Sequence, residues 1–379
     1  FSNTVATAIG VSDFDTSNVI NMSYMFSNTV ATAIDVSNFD TSNVTNMNGM
    51  FLNTNVVQLD ISNFNTSNVT DMSFMFNNSI KLKTIYASNK FKTDLVTSSS
   101  NMFYNSTLLV GGSGTTYNSS YVDKTYARID GGTSNPGYFT DIADKNIPAP
   151  NSFATDSWKT IIKAVKNNNI SKYNVGDTRT IDMGTYGTHT LRIANTSTPS
   201  ECSGTGFSQS ACGFVVEFTD IVAEHVMKDT ADNTGGWPGS SMYTFVNTDL
   251  YNSLPYILKN TIIDTTVVSG HGDTSGEENF TSTDKLYLLA PKEIYTNFSS
   301  RYDTAKDLTR TLDYYTNIGV TTSNYSGAIK KNGTSTYMWW LREANSSSSY
   351  SFHYVTSGGR YGSTDANNTY GVAPAFRLG

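Results

Sequence analysis

The sequence is poor in charged residues and contains no long apolar run. Asp, Glu, Lys and Arg make up only 15% of the 379 residues, and the net charge is −7. Because Lys and Arg form no dense patch, we expect no nucleic-acid partner. Nothing approaches the roughly 18 consecutive apolar residues of a membrane-spanning helix, so we expect no membrane insertion within this segment. The composition is instead rich in Ser, Thr, Asn and Tyr, which favours an extracellular protein over a cytosolic one.

Residues and motifs for catalysis are also scarce. The chain has four histidines and carries no GxSxG, HExxH, Walker or Rossmann pattern. We therefore predict no catalytic residue, no enzymatic activity and no cofactor. One segment, "SGHGDTSGEE", could supply metal ligands from His271, Asp273, Glu277 and Glu278. A polar, glycine-rich loop is the simpler interpretation, and we predict no metal site.

The sequence has only two cysteines. Nine residues separate Cys202 from Cys212 in "ECSGTGFSQSACGF", and the CxxC spacing of zinc and thioredoxin-like sites is absent. A disulfide across so short a loop would suit an oxidising compartment. Two free, reduced thiols are the alternative interpretation.

The N-terminal part of the chain is a repeat. "FSNTVATAIGVSDFDTSNV" begins at Phe1, close copies begin at Phe26 and Phe51, and Met-Phe pairs recur with steps of 25, 25 and then 27 residues. A fixed period of this length predicts a solenoid, in which stacked coils bury apolar residues that one coil would leave exposed. The residues expected to point inward are Ile34, Val36, Phe39, Val44, Met47, Met50, Phe51, Leu59, Ile61 and Phe64.

Polar residues of the repeat are expected to join the coils. Asn and Ser at equivalent positions would form hydrogen-bonded ladders, and "DTSN" (40–43) would supply turn-forming side chains at one corner. Since the chain opens inside a repeat, we expect that upstream sequence, including any signal peptide, has been removed.

The repeat pattern L-D-x-S-x-F-[DN]-T-S-N-V-T-x-M-x-x-M-F resembles the BspA-like leucine-rich repeats (DUF285-type) of bacterial surface proteins. The resemblance covers roughly residues 1–103. We predict a β-rich, leucine-rich-repeat-like solenoid with a C-terminal cap over residues 1–140, and a linker containing Pro148 and Pro150 over residues 141–150. Two interpretations of the solenoid stay open: adhesion to a host or neighbouring surface, and a passive spacer.

Residues 151–379 are predicted to form a separate α+β domain. Apolar spacing predicts a helix near residues 156–166, capped by Asp156 or Ser157, and further helical segments over 242–263 and 302–317. In the second of these, Leu250, Leu254, Ile257 and Leu258 would share the buried face.

The motifs of this domain resemble DUF6273, a family of bacterial surface modules with a C-type-lectin-like architecture. They include "LRIANTSTPSECSGTGFSQSACGFVVEF", "GGWPGSSMYTFVN" and the pair "WWLRE" and "YGVAPAFRLG". The resemblance implies that the two final strands lie side by side, with the run between them forming a loop. The calcium-binding motifs of lectins (Glu-Pro-Asn, Gln-Pro-Asp, Trp-Asn-Asp) are absent, so calcium-dependent sugar binding is poorly supported. Formylglycine-generating oxidases share this architecture and use a cysteine pair, which makes such an oxidase a remote alternative.

The run between the final strands is the candidate binding face. From Asn345 to Gly371 it contains no Lys, Gln, Glu, Met or Trp. In this respect it resembles the variable proteins of diversity-generating retroelements, which rewrite template adenines and place a variable patch before the terminal core strand. Tyr, Ser and Gly also suit a binding face, because Tyr offers a large ring with a polar tip and Ser and Gly adapt around it. The residues selected are Ser347, Ser348, Tyr350, Phe352, His353, Tyr354, Ser357, Arg360, Tyr361 and Ser363.

Part of this run is expected to be structural. Phe352, Tyr354 and Val355 alternate like a strand, so some of them must lie in the core, and Tyr370 is expected to pack under Trp340. The whole chain is therefore predicted to be a ligand-binding or adhesion protein of a bacterial cell surface. Its partner would be a protein or glycan on another cell, or on a phage or host surface. The alternative is a passive structural adhesin or spacer.

Overall fold

The computed structural model describes residues 1–11, 14–132, 135–273, 275–299 and 308–379. The chain divides into two compact units, Phe1–Pro148 with Lys166–Asn168, and Ala149–Val165 with Asn169–Gly379. Both units are rich in β-strands, and the helices are few and short. This two-part, β-rich architecture agrees with the sequence prediction. In the part of the chain that the structure describes, no helix has the length and apolar character needed to cross a membrane.

Short parallel strands recur along the first unit. They are β1 (Ala8–Gly10), β2 (Ala33–Asp35), β3 (Gln58–Asp60), β4 (Thr84–Ala87) and β5 (Phe139–Asp141). β1 pairs with β2, and β4 lies between β3 and β5. A second row of parallel bridges joins Asn21 to Asn46, Asn46 to Asp71 and Asp71 to Ser98. Equivalent residues of neighbouring repeats therefore lie side by side.

Stacked phenylalanine rings form the centre of this unit. Along the series Phe1, Phe26, Phe51, Phe76 and Phe103, successive ring centroids lie 5.7, 5.5, 5.8 and 5.4 Å apart, with nearly parallel ring planes. All ten residues that the repeat pattern assigned to the interior are buried, which confirms that prediction. One repeat could not cover these rings alone, so each copy depends on its neighbours.

A ladder of asparagine amides follows the outside of the stack. Asn28, Asn53, Asn78 and Asn105 all have left-handed backbones, with φ of 55°, 51°, 56° and 58°. Asn tolerates this conformation better than most residues. The amide nitrogens of the last three donate to the amide oxygen of the preceding Asn over 3.0, 2.9 and 2.6 Å. The predicted asparagine ladder is thus confirmed.

The expected corner turns are also present. In "DTSN", the Oδ1 atom of Asp40 accepts a hydrogen bond from the backbone N–H of Ser42 at 2.9 Å. The equivalent bond in the next copy joins Asn65 to Ser67 at 3.2 Å. Side chains therefore satisfy backbone donors at the corner, where no strand partner is present.

Two aromatic residues cover the last ring of the stack. Tyr138 and Phe139 have no exposed surface, and both contact Phe103 edge-on, at 5.1 and 6.1 Å between centroids. The loop before them is tied to Asp130, whose carboxylate accepts hydrogen bonds from Ser113 and Thr115. Edge-on rings replace parallel stacking here, so the stacking pattern ends at this point.

In the described residues of the second unit the α-helices are short: α1 (Trp158–Lys166), α2 (Ser241–Phe245), α3 (Tyr251–Ser253), α4 (Tyr256–Lys259), α5 (Pro291–Ile294) and α6 (Asp313–Asn317). As predicted, Ser157 caps α1, since its Oγ accepts from the Thr160 N–H at 3.1 Å. A π-helical turn, Val246–Leu250, joins α2 to α3.

Two helix predictions need correction or limitation. The segment 242–263 is not one helix, because Leu254, which precedes Pro255, has an extended backbone with ψ of 146°. Proline disfavours the helical conformation of the residue before it. The break turns Ile257 outward, with 49% exposure, whereas it was predicted to be buried. In the predicted segment 302–317, residues 302–307 lie outside the described residues and α6 occupies its end.

Two main sheets build the core of the second unit. An antiparallel sheet has the order β18-β8-β7-β6, formed by Ala375–Arg377, Val215–Phe218, Thr188–Asn195 and Thr178–Asp182. A five-stranded sheet has the order β16-β15-β14-β17-β9, formed by Tyr361–Asp365, Ser351–Val355, Trp339–Ala344, Thr369–Val372 and Ala223–Val226. Two hairpins complete the unit: β10 (Thr265–Ser269) with β11 (Phe280–Asp284), and β12 (Lys330–Asn332) with β13 (Ser335–Tyr337).

Buried ion pairs hold these sheets in place. On β14, the guanidinium of Arg342 binds both carboxylate oxygens of Glu293, at 2.7 and 2.8 Å, and both side chains are fully buried. On β8, Glu217 is equally buried, and burial by itself opposes ionisation of its carboxyl group. The positive charges of Arg192 and Lys330 outweigh this effect and lower the pKa of Glu217 to about 2. Removing one partner of such a pair would leave an unpaired buried charge, so these residues are structural.

Candidate ligand-binding surface

The Ser/Tyr-rich run is mostly a β-hairpin. The resemblance implied that the two final strands lie side by side, and this holds only for β14 and β17, with Trp339 opposite Gly371. The last strand, β18, pairs instead with β8 in the other sheet. The run between them is not a single loop, because β15 pairs with β14 and β16 pairs with β15. The alternation noted in the sequence therefore does mark a strand, and turns are left only at residues 345–350, 356–360 and 366–368.

One predicted contact residue lies inside the domain. Phe352, on β15, has no exposed surface and belongs to the hydrophobic core together with Val355. A ligand at the surface cannot reach this ring. Phe352 is therefore removed from the candidate face.

The other predicted strand residues do not share one face. Consecutive strand residues point to opposite sides of a sheet. The ring of Tyr354 lies 5.0 Å from that of Tyr370. Tyr370 contacts Trp340, as predicted, at 5.1 Å between centroids, but Trp340 is fully buried and Tyr370 only half-buried, so Tyr370 does not lie under it. His353 points to the other side, where it packs edge-on against Phe298 at 5.7 Å.

Tyr361 and Ser363 lie on the side of His353. Ser363 is the strand partner of His353, and the Tyr361 ring lies 5.3 Å from Phe298. Burial lowers the pKa of His353 to about 4, so its imidazole is neutral at physiological pH. Tyr361 is half-buried and Ser363 is exposed. The nine predicted residues that remain therefore form several separate surfaces.

Three of the predicted side chains lie in the turn 345–350. Tyr350 is 50% exposed, Ser347 is exposed and Ser348 is half-buried. The turn is held through its main chain: the buried amide of Asn233 donates to the carbonyl oxygens of Ser348 and Ser351, at 2.6 and 3.0 Å. The Asn233 N–H also donates to the Ser349 carbonyl at 2.9 Å. Because the framework binds carbonyl groups that every residue type possesses, the exposed side chains carry little of the fold.

The turn 356–360 follows the same principle at the opposite end of β15. Ser357 and Arg360 are exposed, while the main-chain carbonyl of Gly359 accepts a hydrogen bond from the Tyr295 hydroxyl at 2.6 Å. Gly359 is required there, since its φ is 93° and a Cβ atom would lie 2.3 Å from the Tyr325 carbonyl oxygen. Five strand residues separate this turn from Tyr350, which corresponds to about 17 Å.

The two cysteines and the His/Asp/Glu segment lie in the same unit, and the segment contacts the turn 345–350, because the Asp273 N–H donates to the Ser348 carbonyl at 3.1 Å. Cys202 and Cys212 form a disulfide, with Cα atoms 6.0 Å apart. The Nδ1 atom of His271 hydrogen-bonds to the Gly272 carbonyl, and Glu277 accepts from the Gly235 N–H at 2.7 Å. Over the described ranges, no three His, Cys, Asp or Glu side chains come together as metal ligands would.

Two aromatic residues beside Tyr370 lie far from the run in sequence. His225 on β9 is the strand partner of Tyr370, and its ring stacks on Phe245 of α2 at 4.3 Å. No local sequence pattern links these residues to the run. Only the order of strands in the sheet brings them together.

Comparison with known families agrees with this two-part architecture. Residues 1–116 match the family described as Mycoplasma protein of unknown function, DUF285. Residues 215–379 match the family described as Domain of unknown function, DUF6273. These are the two families that the repeats and the C-terminal motifs resemble. No curated protein matches the chain, and no solved structure matches it either.

Proposed function

We propose that this chain is a bacterial surface protein in which residues 151–379 bind a protein or glycan ligand on another cell, a phage or a host. In this proposal the first unit is a BspA-like leucine-rich-repeat solenoid, and the second is a C-type-lectin-like domain. Recognition is non-covalent and needs no cofactor. The solenoid interpretation is supported by parallel pairing at the repeat spacing and by the stacked rings of Phe26, Phe51 and Phe76.

The proposal depends on one observation: in the turn 345–350 the main chain makes contacts with the rest of the domain, and three side chains are exposed. The main chain of the turn is fixed by Asn233, while the side chains of Ser347, Ser349 and Tyr350 face solvent. Tyr provides a large contact area at low entropic cost, and such aromatic residues dominate interface energies. A rigid turn with a displayed Tyr is therefore suited to recognition.

The test compares exposed aromatic residues within the same unit. The purified chain is applied to printed arrays of glycans and of purified extracellular proteins. We expect Tyr350→Ala to weaken binding at least tenfold, as removal of an interface anchor does. Tyr256→Ala is the matched control, because Tyr256 is 75% exposed but lies on α4, outside the run. The proposal fails if neither array gives a ligand, or if Tyr350→Ala and Arg360→Ala both bind like the parent chain.

We further propose that the exposed positions of the run are diversified by a retroelement. The residue types of the run and the main-chain anchoring of its turns support this, since these anchoring hydrogen bonds do not use the exposed side chains of Ser347, Tyr350 and Arg360. The test is the sequence around the gene. We expect a nearly identical copy of the last hundred or so bases, differing at adenines, beside a reverse transcriptase gene. Absence of that copy would refute diversification without affecting the binding proposal.

The first unit has a second candidate role as a passive spacer. Its ladder is built from neutral amides, and Asn53 and Asn78 already use their side chains on each other. Deleting one 25-residue repeat would leave array binding unchanged if this unit is a spacer, and would reduce it if the repeats themselves adhere.

A further inference from the structure

Two groups of contacting, half-buried aromatic rings lie on one side of the second unit and are joined by a pair of neighbouring strand residues. They are Tyr354 on β15, Tyr370 on β17, His225 on β9, Phe245 on α2 and Tyr186 in the turn before β7, and we call them the aromatic strip. Ring centroids lie 5.0 Å apart for Tyr354 and Tyr370, 4.3 Å for His225 and Phe245, and 6.3 Å for Phe245 and Tyr186. Tyr370 and His225 are directly paired on neighbouring strands, so they share one side of the sheet.

The strip has a rigid base. Trp340 is fully buried beneath it and contacts the Tyr370 ring at 5.1 Å. The indole nitrogen of Trp340 donates to the His225 carbonyl at 2.9 Å, which ties β14 to β9 across β17. At the other end, Gly362 leaves room for Tyr354, since a Cβ atom there would lie 2.9 Å from its ring. The rings are thus held in place before any ligand arrives.

Polar groups along the strip are left for a ligand. Within the described part of the chain, no hydrogen-bond partner is found for the hydroxyl groups of Tyr354 and Tyr370. Burial raises the pKa of Tyr354, so its hydroxyl keeps its proton and can donate. The Nδ1 atom of His225 faces the Val226 carbonyl at 2.7 Å, which leaves Nε2 directed elsewhere. Half-exposed polar groups without protein partners are where a ligand gains hydrogen bonds without breaking others.

The size and charge of the strip restrict the ligand. An aromatic side chain has a surface area of roughly 150–250 Å², and each ring of the strip exposes about a third of its area or less. The exposed area of the five rings together is therefore at most about 400 Å². A stable protein partner covers about 800 Å² on each side. Besides burial, the carboxylate of Asp249 contributes to raising the pKa of Tyr186, so the charge beside the strip is negative and disfavours an anionic ligand. A small, uncharged ligand with an apolar face and hydroxyl groups at its edge fits these limits.

We propose that the aromatic strip is a binding site for neutral glycans, in which pyranose rings stack on Tyr354, Tyr370 and His225. The C–H face of a sugar lies against the rings, and its hydroxyl groups bond to the two phenol hydroxyls and to Nε2. The inference rests on the proposed recognition function and names a ligand class for it. It also extends the binding surface beyond residues 345–370, because His225, Phe245 and Tyr186 belong to the framework.

Saturation-transfer NMR on the full chain tests the site, with lactose, cellobiose, mannobiose and N,N′-diacetylchitobiose as probes. We expect transfer to the C–H protons of at least one disaccharide. His225→Ala should abolish it, while Tyr354→Phe and Tyr370→Phe, which keep the rings, should each weaken affinity about three- to tenfold. Tyr256→Ala is the control for removal of an exposed aromatic residue and should bind normally. Unfolding followed by tryptophan fluorescence shows whether each variant remains folded.

Each outcome separates this site from the proposed function. If no disaccharide binds, or if His225→Ala binds as well as the parent chain, the glycan site is refuted. Loss of array binding in Tyr350→Ala would then still uphold recognition through the turn. If sugar binding is lost in His225→Ala but unchanged in Tyr350→Ala, the strip is the site and the turn is not. If Tyr354→Phe and Tyr370→Phe leave the saturation transfer unchanged, the hydrogen bonds assigned to the two phenol hydroxyls are refuted.

Discussion

The stacked phenylalanines predict that the first unit depends more on its middle repeats than on its ends. Phe51 is fully buried and stacks on Phe26 and Phe76, at 5.5 and 5.8 Å. Replacing a buried Phe by Ala costs about 3–5 kcal/mol, and each aromatic pair adds roughly 0.5–1.5 kcal/mol beyond area burial. Because Phe51→Ala removes three such pairs, with Phe26, Phe64 and Phe76, we expect a loss of about 5 kcal/mol. Phe1, with 47% exposure, has less to lose, and Phe1→Ala should cost about 1–2 kcal/mol.

The distribution of tryptophan makes the experiment selective. All four tryptophans, Trp158, Trp237, Trp339 and Trp340, lie in the second unit, so tryptophan fluorescence follows that unit. Far-UV circular dichroism follows strand content in both. Guanidinium titrations recorded with both signals therefore distinguish which unit unfolds. If Phe51→Ala and Phe1→Ala destabilise the chain equally, the stacked rings do not support each other and the reasoning is wrong.

Three further changes have defined outcomes. In the exposed ladder, Asn53→Gly removes two amide hydrogen bonds and should lower the free energy of unfolding by about 1 kcal/mol. Asn53→Ala should lower it by about 1 kcal/mol more, because Ala does not favour the left-handed backbone at this position. Equal unfolding midpoints of the two variants, followed by circular dichroism, would exclude this backbone effect. Burial raises the pKa of Asp284 to about 6, so its stabilising contribution is complete below about pH 4 and is lost as pH rises to 6. The unfolding free energy of the parent chain minus that of Asp284→Asn should then fall by about 2–3 kcal/mol from pH 4 to 7. The pKa of His353 is lowered to about 4, so its stabilising contribution is present above pH 6.5 and is lost as pH falls. The unfolding free energy of the parent chain minus that of His353→Gln should therefore rise with pH.

The repeat architecture could be predicted because one short pattern is written several times. Each copy shows which residues return to the same position, so the buried set, the corner turns and the asparagine ladder all followed from the period. The cap of α1 was equally local, since a Ser before an apolar helix has few other roles.

The C-terminal run could not be assigned from its own residues. Ser351 to Val355 and Tyr361 to Asp365 become strands because β14 supplies a partner edge, and a run of Ser, Thr, Gly and Tyr has weak periodicity by itself. For the same reason the two sides of the sheet were not separated, and Tyr354 and His353 were placed on one face. The break before Pro255 was visible in the sequence, but the apolar spacing around Ile257 favoured a continuous helix.

The ladder and the ring stack of the first unit contain no ionisable group. Contacts of this kind have no proton to gain or lose and hold no counterions that salt could displace. The part of the cohesion between repeats that these contacts supply should therefore be nearly the same in dilute and saline surroundings, and in mild acid. Contacts of this kind can keep the spacing between repeats constant while the pH and salt concentration of the medium change.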